Sequence, residues 1–419
     1  MQCAKPINPS LIDPDRKRRV LAIVGDTQVG LWVVRSLARN GLTVHAIVNT
    51  PEGQSAHSRY TASAWLLEHR PSEAGFADEI EALVHRLDVG SIMPVSEGYH
   101  NALISMRERF EPGIHLFSPS RELFDKSTDK DYLQTLCVDL GIPVAKGMRL
   151  DELMEAHGGM ALQFPLVLRT RRQNIDAGKM PLKTAYAEDK TALERWYNQF
   201  RNFADNVIVQ EYHPGVEEHV QILMHDGQPV GTGDYIGEHH MPLAGGVTVQ
   251  RVSCHHQPVI DDTVKLLQAL NWQGIAGVQF HYDPATGKYI FLEINPRFSG
   301  GLPTVIMAGF EAPFLLWQSH FEPEKMAKNS YRVGLRSRIL GGSANWLLGH
   351  LRGDLLPPGQ SSLHPVVAVA TFLWNCGPWT RDDSFLLSDI KPFLVDFKQM
   401  VKKLGARGHD IIGNPEGKA

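Results

Sequence analysis

The sequence predicts two architectures in series: a doubly wound α/β unit, then an antiparallel-rich α+β region. Three observations carry that prediction. From Val20, apolar runs of strand length alternate with amphipathic stretches of helix length. Beyond about residue 126 this alternation gives way to hairpin-like pairs such as "EEHVQILMHDGQPVGTGDYIG". Late in the second region, "YIFLEINPRFSGG" runs from apolar residues into a carboxylate, a carboxamide and an arginine at fixed spacing.

In the first region, "VLAIV", "GDTQVG", "LWVVRSLARNG" and "LTVHAIV" read as strand, turn, helix and strand, with Gly41 stopping the helix. "VGSIMPVS", "EGYHNALISMRERF" and "GIHLFSP" continue the pattern to about residue 125. Gly25 and Gly30 resemble the ends of a dinucleotide fingerprint, but its middle glycine is missing, and the second strand ends at Asn49 where an acid would hold a ribose. These gaps weigh against a nicotinamide-dependent oxidoreductase. No GxxxxGK[ST] sequence occurs, so a P-loop is excluded.

In the second region, "TDKDYLQTLCVDLG" reads as a helix capped by Thr128 or Asp129 and ending before Gly141. It is followed by the strand "FPLVLRT", the polar loop "RRQNIDAGKMPLK", the helix "DKTALERWYNQF" and the strand "NVIVQEY". The helix "IDDTVKLLQALNW" leads to the strands "IAGVQFHYD" and "YIFLEINP", joined by the turn "PATG". Period-two alternation puts Glu293 and Asn295 on one strand face, and folding back at residues 284 to 287 brings Gln279 near them. Three oxygen donors with one formal charge suit Mg²⁺, and Arg297 is placed to clamp a phosphoryl group. The plainer alternative is an ion pair between Glu293 and Arg297.

Composition narrows the partners. With a formal net charge of -4 and pI near 6.5 there is no basic surplus, so nucleic acid is not expected. Cys3, Cys137, Cys254 and Cys376 form no CxxC pair, which argues against a zinc ribbon or a disulfide framework. No segment reaches about 18 uninterrupted apolar residues, and "MQCAKPINPSLIDPDRKRRV" lacks the apolar core of a secretory signal. A cytoplasmic protein without a membrane span is expected. The pairs His239-His240 and His255-His256 read as surface or loop residues, because adjacent strand residues face opposite sides and no ligand spacing completes a site.

The pattern of Gln279 followed by Glu293-x-Asn295-Pro296-Arg297 resembles the ATP-grasp superfamily, in its carbamoyl-phosphate-synthetase-like branch. The likeness runs through most of residues 20 to 320 in element order. It implies a flexible tail (1–18), a Rossmann-like pre-ATP-grasp domain (19–125), an ATP-grasp domain whose two α+β subdomains clamp ATP (126–320) and a C-terminal extension (321–419). By the same resemblance Gln279, Glu293 and Asn295 hold Mg²⁺ or Mn²⁺. Lys130, eleven residues before Gly141-Ile142-Pro143, contacts nucleotide phosphate, with Lys126 as the out-of-register alternative. Arg169, ending "FPLVLR", does the same. In the hinge "EYHPGVEE", Glu211 and the backbone near His213 meet the adenine, and Glu218 accepts the ribose hydroxyls, with Glu217 competing.

The implied activity is an ATP-dependent ligase, with Arg297 and Arg169 as catalytic cations. A small-molecule carboxylate would be activated as an acyl phosphate and captured by an amine. Arg251 is a candidate for holding a substrate carboxylate. The loop after Arg169 departs from the family, having one glycine and the basic residues Arg171, Arg172, Lys179 and Lys183. A non-catalytic ATP-binding regulatory module is therefore the alternative. The C-terminal extension would pack over the site or form a homo-oligomer contact, and no motif chooses between them.

Overall fold

The computed structural model describes residues 2–6, 8, 10, 13, 15–110, 113–155, 162–170, 184–326 and 330–412. It is a mixed α/β protein of two compact units. One comprises residues 1–118, 339–341 and 381–419, the other 119–338 and 342–380.

In the first unit, β1 (Gln2–Lys5), β2 (Arg19–Ile23), β3 (Thr43–Val48), β4 (Ser63–Leu66), β5 (Ser91–Pro94) and β6 (His115–Leu116) form one sheet in the order β1-β4-β3-β2-β5-β6. From β4 to β6 all pairings are parallel, and the strands alternate with α1 (Gln28–Arg39), α2 (Gln54–His57), α3 (Phe76–Leu87) and α4 (Glu97–Ile104). This is the strand order of a doubly wound half. The continuous apolar runs read in the sequence are buried: Leu21, Ile23, Ile47 and Ile92 meet Ile80, Leu83 and Val84 of α3 in one core.

The turn "GDTQVG" shows why its two glycines are there. Gly25 has φ +56°, and a Cβ on Gly30 would lie 2.5 Å from the Val24 carbonyl oxygen. Thr27 stands where the fingerprint would have its middle glycine, and its side chain caps α1 by accepting from Gly30 N at 3.0 Å. The N-terminal stretch departs from the expected loose tail. Gln2–Lys5 pairs antiparallel with β4, and Lys5 Nζ donates to the Ser58 carbonyl at 2.9 Å.

The second unit holds two antiparallel sheets. Its N-terminal helices are α5 (Arg121–Thr128) and α6 (Lys130–Asp139), the latter capped by Asp129, which accepts from Asp131 N and Tyr132 N. The four-stranded sheet contains β7 (Gly147–Arg149), β8 (Leu166–Thr170), β9 (Thr184–Ala187) and β10 (Val207–Glu211) in the order β7-β10-β8-β9. Leu166, Leu168, Val207 and Val209 turn one face of this sheet toward α7 (Leu150–Glu155) and α8 (Lys190–Phe200). The glycine-poor loop with Arg171, Arg172, Lys179 and Lys183 lies outside the described residues.

The seven-stranded sheet is built from β11 (Val216–His225), β12 (Gln228–Met241), β13 (Val247–Cys254), β14 (Gly274–Tyr282), β15 (Tyr289–Asn295), β16 (Arg336–Arg338) and β17 (Thr380–Asp382). Their order is β15-β14-β11-β12-β13-β16-β17. A two-residue turn joins β11 to β12, with Asp226 at φ +48° and Gly227 at φ +72°, as the Asp-Gly pair of a type I′ hairpin requires. Val220, Ile222 and Met224 pack with Val259, Leu266 and Leu267 of α9 (Gln257–Ala269) and with Leu133 and Cys137 of α6. The opposite face receives α10 (Leu302–Ala308) and α11 (Ala312–Phe321).

The C-terminal extension also contains α12 (Leu340–Arg352) and α13 (Pro365–Trp374). In α12 three glycines mask the helix, and packing supplies what propensity lacks. The Trp346 ring lies 3.9 Å from that of His239, nearly parallel to it.

The final helix, α14 (Lys391–Ile412), belongs to the first unit. Its entry is held by a fully buried ion pair. Arg35 Nε on α1 donates to Asp389 Oδ2 at 3.0 Å, and Arg35 Nη2 donates to the Ser384 and Asp389 carbonyls. Asp389 also accepts from Ser58 Oγ at 2.7 Å and Arg59 N at 2.8 Å. Removing one partner strands the other charge in a low-dielectric interior. Asp389→Ala is therefore expected to destabilise the protein by roughly 3–5 kcal/mol in urea unfolding. A loss below about 1 kcal/mol would show that the pair does not fasten this segment.

Candidate active site

The sequence-derived oxygen donors meet as the hairpin reading expects. β14 and β15 pair with Gln279 directly opposite Glu293 and Gly277 opposite Asn295. The connecting turn is held by Asp283, whose carboxylate accepts from Ala285 N and Thr286 Oγ1, with Gly287 at φ +71°. Asn295 Nδ2 lies 3.3 Å from Glu293 Oε1. Arg297 does not pair with Glu293. Its guanidinium donates to Asn295 Oδ1 and the Phe298 carbonyl, each at 3.0 Å. Of the two glycines that follow, Gly301 is needed for packing: a Cβ on it would lie 2.2 Å from the Tyr235 ring.

The partner of Glu293 is Lys130. As the first residue of α6 it places Nζ 3.5 Å from Glu293 Oε2 and donates to the Thr170 carbonyl at 3.2 Å. Lys126, the alternative, is spent on Glu122 one turn earlier. Arg169 sits opposite Ile208 on the sheet face turned away from Leu168. With Lys130, Gln210 and Phe291 it lines one small cavity. Its Nε is buried and has no hydrogen-bond partner among the described residues. Two basic side chains, from α6 and from β8, thus line a cavity beside Glu293.

The hinge between the two sheets depends on Gly215, whose φ of +145° and 2.3 Å clearance to the Tyr282 carbonyl admit no Cβ. Glu211 closes β10, and its Oε1 accepts from Gln163 N at 3.0 Å. His213 follows it and raises the positive potential felt by His281.

The paired acids after the hinge separate by parity. Glu218 shares the helix-packed face of Val220 and Ile222 and is completely buried. Burial pushes its carboxyl up to about 7, although His256 Nδ1, 2.8 Å away, pulls the other way. The expected ribose acceptor therefore stands on the face opposite Gln279 and Glu293. Glu217 occupies the cleft face. Burial opposes its ionisation, but the imidazoles of His219 and His240, 3.5 and 3.4 Å away, favour the carboxylate and hold it well below the usual carboxylate range.

Two further cleft residues were not singled out in the sequence, His281 opposite Glu217 on β14 and His219 opposite Gln279 on β11. A signal for the face was available, since Glu217, His219 and Gln221 are the polar parity of β11 and Val220, Ile222 and Met224 the apolar one. His239 and His240 do face opposite sides, toward Trp346 and Glu217 respectively. Arg251 is buried and donates to the Thr248 carbonyl and to Thr304 Oγ1.

A small and a large antiparallel sheet, with Lys130 and Arg169 lining a cavity beside the acid and amide oxygens of Glu293, Asn295 and Gln279, make up an ATP-grasp fold. The family profile described as "ATP-grasp in the biosynthetic pathway with Ter operon" matches residues 203–339. The large chain of carbamoyl phosphate synthase from Clostridium acetobutylicum is homologous, at 22% identity over 285 residues, covering 65% of this chain and 25% of that protein. The chain thus spans about a quarter of the length of that relative. In fold it is similar to a biotin carboxylase–β,γ-ATP complex from Campylobacter jejuni, with TM-score 0.59, 15% identity, and 76% and 74% of the two chains covered. It is also similar to the ADP complex of PurK, an N5-carboxyaminoimidazole ribonucleotide synthetase, with TM-score 0.58, 14% identity, and 85% and 97% covered. No helix among the described residues is long and apolar enough to cross a membrane.

His281 offers a test of the cleft's electrostatics. Burial, aided by the charge of Arg169, brings its imidazole down to about 4. An unfolded histidine takes up its proton near pH 6.5, so folding stability is lost as pH falls from 6.5 toward 4, by up to about 3 kcal/mol. In His281→Gln, urea midpoints measured at pH 7 and pH 5 should differ less than in wild type. An unchanged difference would remove His281 from the account.

Proposed function

We propose that the protein is an ATP-dependent ligase that activates a small-molecule carboxylate as an acyl phosphate and transfers the acyl group to an amine. The observation that carries this reading is the convergence of Lys130 and Arg169 with Glu293 at one cleft, with Glu293 paired across the strands with Gln279. Relatives and fold neighbours that include a carbamoyl phosphate synthase and structures with ATP-type nucleotides support it.

The donor set fits Mg²⁺ or Mn²⁺: one carboxylate and two carboxamide oxygens, from Glu293, Asn295 and Gln279, are hard ligands that leave room for water and phosphate oxygens. When bound, such an ion would neutralise phosphate charge and polarise the γ-phosphoryl group. Lys130 and Arg169 grip the phosphates from the opposite wall. Arg297, anchored on Asn295 Oδ1, is a further cation for the charge that develops on the transferring group. A substrate carboxylate oxygen attacks the γ-phosphorus while the bond to the ADP oxygen breaks. The amine then attacks the acyl carbon, phosphate leaves, and the amine proton passes to solvent. No covalent enzyme intermediate is required.

Adenine lies against the hinge at Glu211 and the His213 backbone. Glu217 takes the ribose hydroxyls in place of Glu218, because it is the ionised acid on the cleft face.

The test is ³¹P NMR of ATP and Mg²⁺ with pooled carboxylates and amines. ADP and phosphate are expected with wild type and not with a folded Glu293→Gln. AMP and pyrophosphate would overturn the acyl-phosphate step. ATP binding without turnover would favour the nucleotide-binding regulatory module instead. For the ribose assignment, Glu217→Gln should weaken ATP binding about tenfold while leaving 2′,3′-dideoxy-ATP unchanged, as loss of hydrogen bonds to a charged acceptor predicts. Equal weakening of both nucleotides would refute it.

A further inference from the structure

Behind the sheet, on the face away from the cleft, three side chains of different chemistry converge. Glu218 from β11, Cys254 at the end of β13 and His256 at the N-cap of α9 bring a carboxylate oxygen, a sulfur and an imidazole nitrogen all within 4.8 Å of one another. Cys254 Sγ is 3.8 Å from Glu218 Oε1, and His256 Nδ1 is 2.8 Å from Glu218 Oε2. Asp234, the cross-strand neighbour of Cys254, stands beside them and accepts from Tyr331 Oη at 2.7 Å and His256 N at 3.3 Å.

Simple packing explains this arrangement poorly. Glu218 and Asp234 are both fully buried, and they share the face of an apolar layer. Buried carboxylates are costly unless paired with cations or bound to a metal. The basic groups beside them are His256, against Glu218, and His255, 3.9 Å from Asp234. Neither carries a permanent charge.

We propose that Glu218, Cys254 and His256 form a binding site for a transition-metal cation of the Zn²⁺ class, separate from the nucleotide cleft. A mixed sulfur, nitrogen and oxygen set suits a borderline-soft ion and does not suit Mg²⁺. With Zn–S near 2.3 Å and Zn–O near 2.0–2.2 Å, the S–O edge of a tetrahedron is about 3.5 Å, so the sulfur and oxygen stand within a few tenths of an ångström of it. Binding releases the Cys254 thiol proton and the proton held between Glu218 and His256, which then separate to ligand spacing. Asp234 or water completes the shell. The His256 side chain, 28% exposed, supplies the way in. The site ties the start of α9 to β11 directly behind Glu217.

Cobalt tests the proposal, because a thiolate ligand gives Co²⁺ an intense near-ultraviolet charge-transfer absorption that oxygen ligands do not. Metal-stripped full-length protein without nucleotide is titrated with Co²⁺ alone, then with Zn²⁺. One equivalent of thiolate-bound Co²⁺ is expected, displaced by one of Zn²⁺. The signal should vanish in Cys254→Ser, weaken at least about tenfold in His256→Gln, and persist in Glu293→Gln, whose change lies in the other site. Circular dichroism checks each fold, and His256→Gln decides if Cys254→Ser does not fold. No charge-transfer band in wild type, or an undiminished band in the variants, would overturn the site.

Discussion

The cross-strand register of β11, β14 and β15 is the constraint on which the rest of this structure depends. Side chains alternate along a strand, so setting Gln279 opposite both His219 and Glu293 fixes the two faces of three strands, with a bulge between Phe291 and Glu293 that carries Phe291 to the core face. One face gathers Glu217, His219, Gln279, His281, Glu293 and Asn295. The other buries Val220, Ile222, Val278, Phe280, Phe291 and Ile294. A slip of one residue would exchange the two sets, exposing the apolar layer and burying the polar one. The stability of the core and the chemistry of the cleft are therefore one specification, enforced by the same hydrogen-bond ladder.

Much of this was legible in the sequence because it is local. The hairpin closing on Asp283 and Gly287, the cap at Asp129 ahead of Lys130, and the glycine stops at residues 41 and 141 all follow from backbone preferences within a few residues. Arg169 after a nearly apolar run announced a strand end facing something charged. The partner of Glu293 was less accessible. A neighbouring Arg297 offered a short-range pair, yet the structure gives Glu293 to Lys130, far away in the chain, and turns Arg297 to Asn295.

The misreadings have physical reasons too. Glu217 and Glu218 are adjacent, and counting from the hinge glycine does not distinguish them. Counting parity from the apolar residues of β11 does. The helices α12 and α13 were hidden for opposite reasons, the first because its glycines depress helix propensity, the second because its uniformly apolar sequence has no polar face to mark a period. The convergence of Cys254 and His256 with Glu218 depends on a β12–β13 pairing that local pattern does not reveal, and so histidines read singly as surface residues acquired buried neighbours.

The Arg35–Asp389 clasp has a consequence for how the chain matures. The first unit is built from segments on both sides of the second, so its interior cannot be completed while synthesis is still passing through the region between. At about 5–20 residues per second, some 350 residues separate the two halves of that ion pair by tens of seconds. Throughout that interval Arg35 lacks Asp389, and α2 lacks the helix that packs on it. The second unit, nearly contiguous in sequence, meets no such delay. On the ribosome, the unit begun before its neighbour is thus obliged to finish after it.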